Sequence, residues 1–187
     1  MNDRRLGLFG GTFDPPHFGH VAALNAASTS GHFEKIIVTV AGDPYLKSPE
    51  VHSADLRLAM AHVAFDDIPL VEVSDMEIRR SGPSYTIDTV RELFVNGQGL
   101  DLIVGADLAS HLNEWHEANE LRELVDIAVV PRPGSSAQLP DGWRGYELTM
   151  HPVDLSSTFI RSMGTSNENL KNFLPTGVIP LFVSAEG

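Results

Sequence analysis

The 187-residue chain reads as an α/β protein with a doubly wound, mostly parallel sheet. Three observations carry this reading. β-branched or aliphatic runs recur along the chain, segments of helical spacing separate them, and the joints after the runs are rich in glycine, serine and proline. Strands separated by helices pair in parallel through right-handed crossovers, which places helices on both faces of the sheet.

In order, residues 6–9 form a first strand, residues 10–20 a long joint, and 21–27 an alanine-rich helix. Residues 34–41 are almost continuously apolar and β-branched, as in a strand covered on both faces. After a loop over 42–49, Ser53 is placed to cap a helix running to Phe65, with Leu56, Met60 and Val63 apolar at helical spacing. Residues 70–73 form a third strand, and 77–83 a short strand entering a turn. A helix opens over 84–89 and ends at Asn96-Gly97.

A strand over 101–104, a loop or short helix to Trp115, a helix over 117–124 and a strand over 126–130 complete the alternation. Residues 131–145 make a turn-rich connection, and a last strand over 146–150 precedes a helix start near Arg161. The apolar tail 169–183, broken by Pro175, Gly177 and Pro180, is expected to form a short helix on the body. With no linker and no repeat, residues 1–187 are read as one domain, with a helical C-terminal segment from about residue 157.

An apolar fraction of 42% and a charged fraction of 20% are globular values. The absence of cysteine excludes disulfides, thiolate metal sites and cysteine nucleophiles. No run approaches the ~18 apolar residues of a membrane span. The charged start entering a strand is unlike a signal peptide, so a cytoplasmic location without a membrane partner is expected. A net charge of −12 argues against a nucleic-acid polymer as partner. A small polyphosphate would need local cations to offset that field.

In a doubly wound sheet, ligands lie beyond the carboxyl ends of the strands. The first such joint is Gly10-Gly11-Thr12-Phe13-Asp14-Pro15-Pro16-His17-Phe18-Gly19-His20. It has glycines that permit close backbone approach, a following helix N-terminus, and two imidazoles three residues apart. It lacks both the Gly-Lys-Ser/Thr ending of a P-loop and the G-x-G-x-x-G spacing.

A second joint, Leu155-Ser156-Ser157-Thr158-Phe159-Ile160-Arg161, combines hydroxyls at a helix start with an arginine one turn on. A capping serine beside a surface arginine would show the same pattern. His32, His52, His62, His111, His116 and His151 have no metal-ligand spacing and read as surface or core, so no protein-bound metal is expected.

The first joint resembles the nucleotidyltransferase superfamily with its H-x-G-H motif, here His17-Phe18-Gly19-His20, and most of all the bacterial nicotinate-nucleotide adenylyltransferases. The late S-S-T-x-x-R, the strand end Gly105-Ala106-Asp107, the S-Y-T-x-D-T-like segment from Ser84 and Lys47 in its loop extend the resemblance along the chain. It implies a Rossmann-like nucleotidyltransferase fold. The implied reaction is adenylyl transfer from ATP to nicotinate mononucleotide, yielding nicotinate adenine dinucleotide and pyrophosphate in NAD biosynthesis.

The resemblance assigns catalysis to His17, His20 and Arg161, and ATP binding to these with Gly10, Gly11, Thr12, Phe13, Gly105, Asp107, Ser157 and Thr158. It assigns the acceptor nucleotide to Lys47, Tyr85, Thr86, Trp115 and Arg132, with Trp115 stacking on the pyridine ring. Mg²⁺ is expected to arrive with ATP. The chain departs from the pattern at Met163, where relatives often carry a second basic residue, and at Tyr45-Leu46 before the lysine. Nicotinamide mononucleotide or phosphopantetheine as acceptor, and a non-catalytic nucleotide-binding protein, are the alternative readings. Oligomeric state has no signature in the sequence.

Overall fold

The computed structural model describes residues 5–44, 52–94, 98–135, 138–164 and 167–184. Its strands are β1 (Arg5–Gly11), β2 (Phe33–Val40), β3 (Val71–Ser74), β4 (Leu100–Gly105), β5 (Val125–Val130) and β6 (Gly145–Glu147). They form one sheet in the order β3-β2-β1-β4-β5-β6, with all five neighbouring pairs parallel. Expected as mostly parallel, the sheet is wholly so among the described residues. The chain winds outward from β1 to β3, then returns to β4 on the other side of β1. The switch point therefore lies between β1 and β4, where crevices form beyond the strand ends.

The period-two alternation of each strand sends side chains to two separate cores. Phe9, Ile36, Val38, Val40, Ile103 and Ala128 face α1 (Phe18–Thr29) and α2 (Ala54–Phe65). Leu8, Leu100, Leu102, Val104, Ile127 and Val129 face α4 (Thr86–Leu93), α5 (Ala106–Ala109) and α6 (Ala118–Leu124), with α3 (Met76–Arg79) between β3 and α4. A third cluster joins Met60 of α2 to Ile160 of α7 (Ser157–Ser162), Leu170 of α8 (Asn167–Leu170), and Val178 and Phe182 of α9 (Val178–Ser184).

Two sequence expectations are corrected. Residues 77–83 do not begin as a strand: Asp75 accepts the Arg79 N–H through its carbonyl at 3.0 Å and pairs with its guanidinium at 3.1 Å, closing the single turn of α3. The buried stripe of α2 is Arg57, Met60, Ala61 and Phe65, whereas Val63 is 49% exposed. A charged residue occupies the inward face, and the reason emerges at the site. As expected, Ser53 caps α2, its hydroxyl accepting from Leu56 N–H at 3.3 Å.

At the amino edge of the sheet, Asp101 is fully buried between Arg5, which donates to it, and Tyr146, whose hydroxyl donates at 2.8 Å. Burial raises the Asp101 carboxyl above its ordinary value, against the opposing pull of the Tyr146 hydroxyl and Arg5. A carboxyl whose folded value is raised contributes stability below its unfolded value and loses it as pH rises through the folded one. The melting-temperature advantage of wild type over Asp101→Asn should therefore shrink as pH rises from about 4 to about 7. Thermal unfolding across that range checks it, and a growing advantage would contradict it.

Candidate active site

Local packing shapes the first joint before any ligand is considered. Phe13 takes a left-handed backbone, φ 53°, and its ring is buried edge-on against Phe65 and His20, at 5.3 and 5.1 Å between centroids. That ring lies over Gly11, where a Cβ would come within 2.6 Å of it, so only glycine fits. Phe13 contributes its side chain to the core, and only its backbone to the joint.

Helix α1 begins at Phe18, earlier than the sequence suggests, with His17 at its N-cap and His20 in its first turn. The two imidazoles stack at 3.7 Å between centroids and 24° between planes. His20 Nδ1 accepts the His17 backbone N–H at 3.2 Å, reaching back across the turn as in a capping box. With Nδ1 accepting, a neutral His20 ring carries its hydrogen on Nε2. Gly19 lies under the His17 ring, where a Cβ would meet Cε1 and Nδ1 at 3.0 Å.

The late motif folds onto this joint. Ser156 caps α7, accepting from Phe159 N–H at 3.2 Å, so the capping serine and the arginine coexist as separate features. The Ser157 hydroxyl donates to the Pro15 carbonyl at 2.9 Å, and Arg161 donates to the Asp14 carbonyl at 2.5 Å and to Thr158 Oγ1 at 3.4 Å. Arg132, following β5, donates to the Leu155 carbonyl at 2.6 Å, with its Nε 3.8 Å from Asp107.

Asp107 curls back over the start of α5, its Oδ1 filling the space a Gly105 Cβ would take. His20, Gly105 and Arg132 line a cleft with Phe9, Gly19, Pro131 and Met150 at the β1–β4 switch point. Gly10 is exposed at the end of β1, and the Thr12 hydroxyl is buried with no hydrogen-bond partner among the described residues.

Tyr85, Thr86 and Trp115 lie at a second locus, on the face carrying α4 and α6. Tyr85 is the N-cap of α4, Thr86 its first residue, and Tyr85 stacks on His116 at 4.0 Å. Trp115 is half-buried, packing inward on the core while also lining a surface hollow with Asn113, Asn119 and Arg122. Arg91 ties α4 to α6, donating to Asp88, Glu117 and Glu120, and its bond to Glu120 holds that carboxyl below the usual carboxylate range. Lys47 lies outside the described residues. Arg132, expected with the acceptor group, lines the cleft with His20.

Two residues given no role in the sequence, with Ser84 of the acceptor-like segment, connect these parts. Arg57 is fully buried and donates to the carbonyls of Thr12, Ala41, Gly42 and His52 at 2.9, 2.7, 3.4 and 3.1 Å. His52, read as surface or core, is buried and donates from Nδ1 to Asp14 Oδ1 at 2.5 Å. Ser84, in the acceptor segment, accepts from Gly42 and Asp43 N–H at 3.0 and 3.3 Å and so ties the start of α4 to the end of β2. The charge placed on an inward helix face was the available signal for Arg57. For Asp14 and His52, 38 residues apart, the sequence carries no signal of their meeting.

Residues 8–163 match the Cytidylyltransferase-like family. A Roseiflexus sp. protein named "Probable nicotinate-nucleotide adenylyltransferase" is 39% identical over 100% of this chain and 98% of its own length. A protein of the same name from Oceanobacillus iheyensis is 34% identical over 94% and 92%. In fold, the chain is similar to the Plasmodium falciparum nicotinic acid mononucleotide adenylyltransferase complexed with NaAD, with a TM-score of 0.78 at 16% identity, covering 97% and 95% of the two chains. The all-parallel sheet thus has a close counterpart in that structure, and near-full-length identity adds what fold alone does not: the chain belongs to the nicotinate-nucleotide adenylyltransferase family of nucleotidyltransferase enzymes.

Proposed function

We propose that the chain transfers the adenylyl group of ATP to nicotinate mononucleotide, forming nicotinate adenine dinucleotide and pyrophosphate. The observation that carries this reading is the paired His17 and His20 at the start of α1, on the same joint that Arg161 reaches from α7. The 5′-phosphate oxygen of the acceptor attacks the α-phosphorus of ATP in line, a new P–O bond forms, and the bond to the β-phosphate oxygen breaks. The attacking phosphate is largely ionised at neutral pH, its second pKa being ~6, so no general base is required. Pyrophosphate departs with the electron pair.

The remaining demand is electrostatic, since two polyanions must meet on a chain of net charge −12. His20 Nε2 supplies a donor set by its backbone contact, and the Thr12 hydroxyl offers another at the joint. His17 stacks on the face of the His20 ring, while Ser157, Thr158 and Arg161 form the facing wall. Gly105 and Asp107 are assigned the adenosine, with Arg132 beside Asp107. Tyr85, Thr86, Trp115 and Lys47 are assigned the acceptor.

Mg²⁺ enters with the triphosphate as part of the nucleotide substrate. This reading assigns the chain to NAD biosynthesis, which we propose takes place in the cytoplasm.

With ATP present, pyrophosphate release should be faster with nicotinate mononucleotide than with nicotinamide mononucleotide or phosphopantetheine; a preference for either of the others would reassign the acceptor. His20→Ala should lower kcat by about 100-fold or more, while stability falls by only about 1 kcal/mol from the lost cap contact. Steady-state assays and thermal unfolding of one preparation test both, and wild-type turnover would remove the histidine from the mechanism. Trp115→Ala should raise the KM for nicotinate mononucleotide more than that for ATP, as expected for loss of a ring contact worth ~0.5–2 kcal/mol; equal changes would argue against stacking.

A further inference from the structure

Asp14 is held from three sides. Its carboxylate receives His52 Nδ1 at 2.5 Å and the His52 backbone N–H at 3.4 Å, while its carbonyl receives Arg161 at 2.5 Å. His52 is itself anchored. Its carbonyl accepts from the buried Arg57, and its ring packs against Phe182 of α9 at 5.3 Å between centroids. Both side chains of the Asp14–His52 pair are 2% exposed. Such burial carries a desolvation cost unless the pair is closely matched, so a hydrophobic pair would serve packing alone as well or better.

We infer that His52 is a positioning residue for adenylyl transfer, acting through the Asp14 carboxylate to set the backbone carbonyl that orients Arg161. The contacts run in one line, from Arg57 to His52, from His52 to Asp14, and from Asp14 to Arg161. Arg161 is mounted on α7, more than one hundred residues away in sequence, and its reach into the joint is defined by that carbonyl and by Thr158. A guanidinium that must meet developing charge loses much of its effect when displaced by about 1 Å, a shift able to cost on the order of 100-fold. The hydrogen bond, more than the bulk of the ring, is what this role requires. The imidazole Nε2 is buried with no hydrogen-bond partner among the described residues, so Nδ1 carries the polar work of the side chain.

The inference rests on the adenylyl-transfer reading, and three variants separate the two. His52→Asn places an amide N–H where Nδ1 stands. His52→Phe keeps the ring and its Phe182 contact without a donor, and His52→Gln keeps polarity but sets its donor one bond too far. Each is assayed for pyrophosphate release and ATP binding by titration calorimetry, with thermal unfolding to establish folding. His52→Asn should stay within about 3-fold of wild-type kcat, while His52→Phe and His52→Gln lose about 10- to 100-fold, with the acceptor KM unchanged.

Arg161→Gln should cost less in the His52→Gln background than in wild type, since positioning already lost cannot be lost again. If His52→Phe fails to fold, the Asn and Gln pair decides. Folded His52→Phe or His52→Gln with wild-type kcat, equal impairment of Asn and Gln, or additive losses with Arg161→Gln would overturn the inference. A wild-type protein inactive with every acceptor would instead overturn the adenylyl-transfer reading.

Discussion

The guanidinium of Arg57 sits on the buried face of α2 and spends its N–H groups on four backbone carbonyls from three separate segments. Hydrogen bonds from a charged donor contribute about 1.5–3 kcal/mol each, and leaving buried carbonyls unpaired costs a comparable amount. Carbonyls at the ends of β1 and β2 have no strand to pair with once the sheet stops. Arg57 satisfies them and in doing so brings the first joint, the end of β2 and the start of α2 to one point. Ser84 extends the same fastening to α4, so the two halves of the proposed site share one anchor.

How the site meets its ligands follows from where its few cations are spent. Arg161 and Arg132 both donate to backbone carbonyls, Asp14 and Leu155, that fix their direction. An arginine has five N–H donors in a planar fork, so a bond to protein on one edge still leaves others for a phosphate. The acidic surface then works in a useful sense. Repulsion weakens attachment of nonspecific polyanions, while the short-range geometry of the cleft selects the intended one.

Much of this was legible in the sequence. Periodicity located the strands because a doubly covered strand is a continuous apolar run, and the Ser53 cap was visible because a cap is a local contact. The histidines and the late Ser-Ser-Thr were visible as motifs because phosphate recognition by backbone and hydroxyl groups requires a fixed local spacing. What escaped was either marginal or remote. The turn of α3 is four residues long, too short to show a period, and its apolar Met76 and Ile78 are also what a strand would show. The Asp14–His52 contact joins residues that only the folded chain brings together.

The glycine at position 19 has a helical neighbourhood in which alanine would ordinarily be preferred by about 1 kcal/mol. Its backbone is not among those with positive φ, so conformational freedom does not explain it. What it provides is an absence of volume, filled by the His17 ring. The third letter of His17-Phe18-Gly19-His20 is thus a spatial requirement imposed by the first, and helix stability has been given up in exchange for imidazole alignment. A stabilising consensus approach that fills such helical glycines would improve the scaffold and misplace the ring that the helix exists to present.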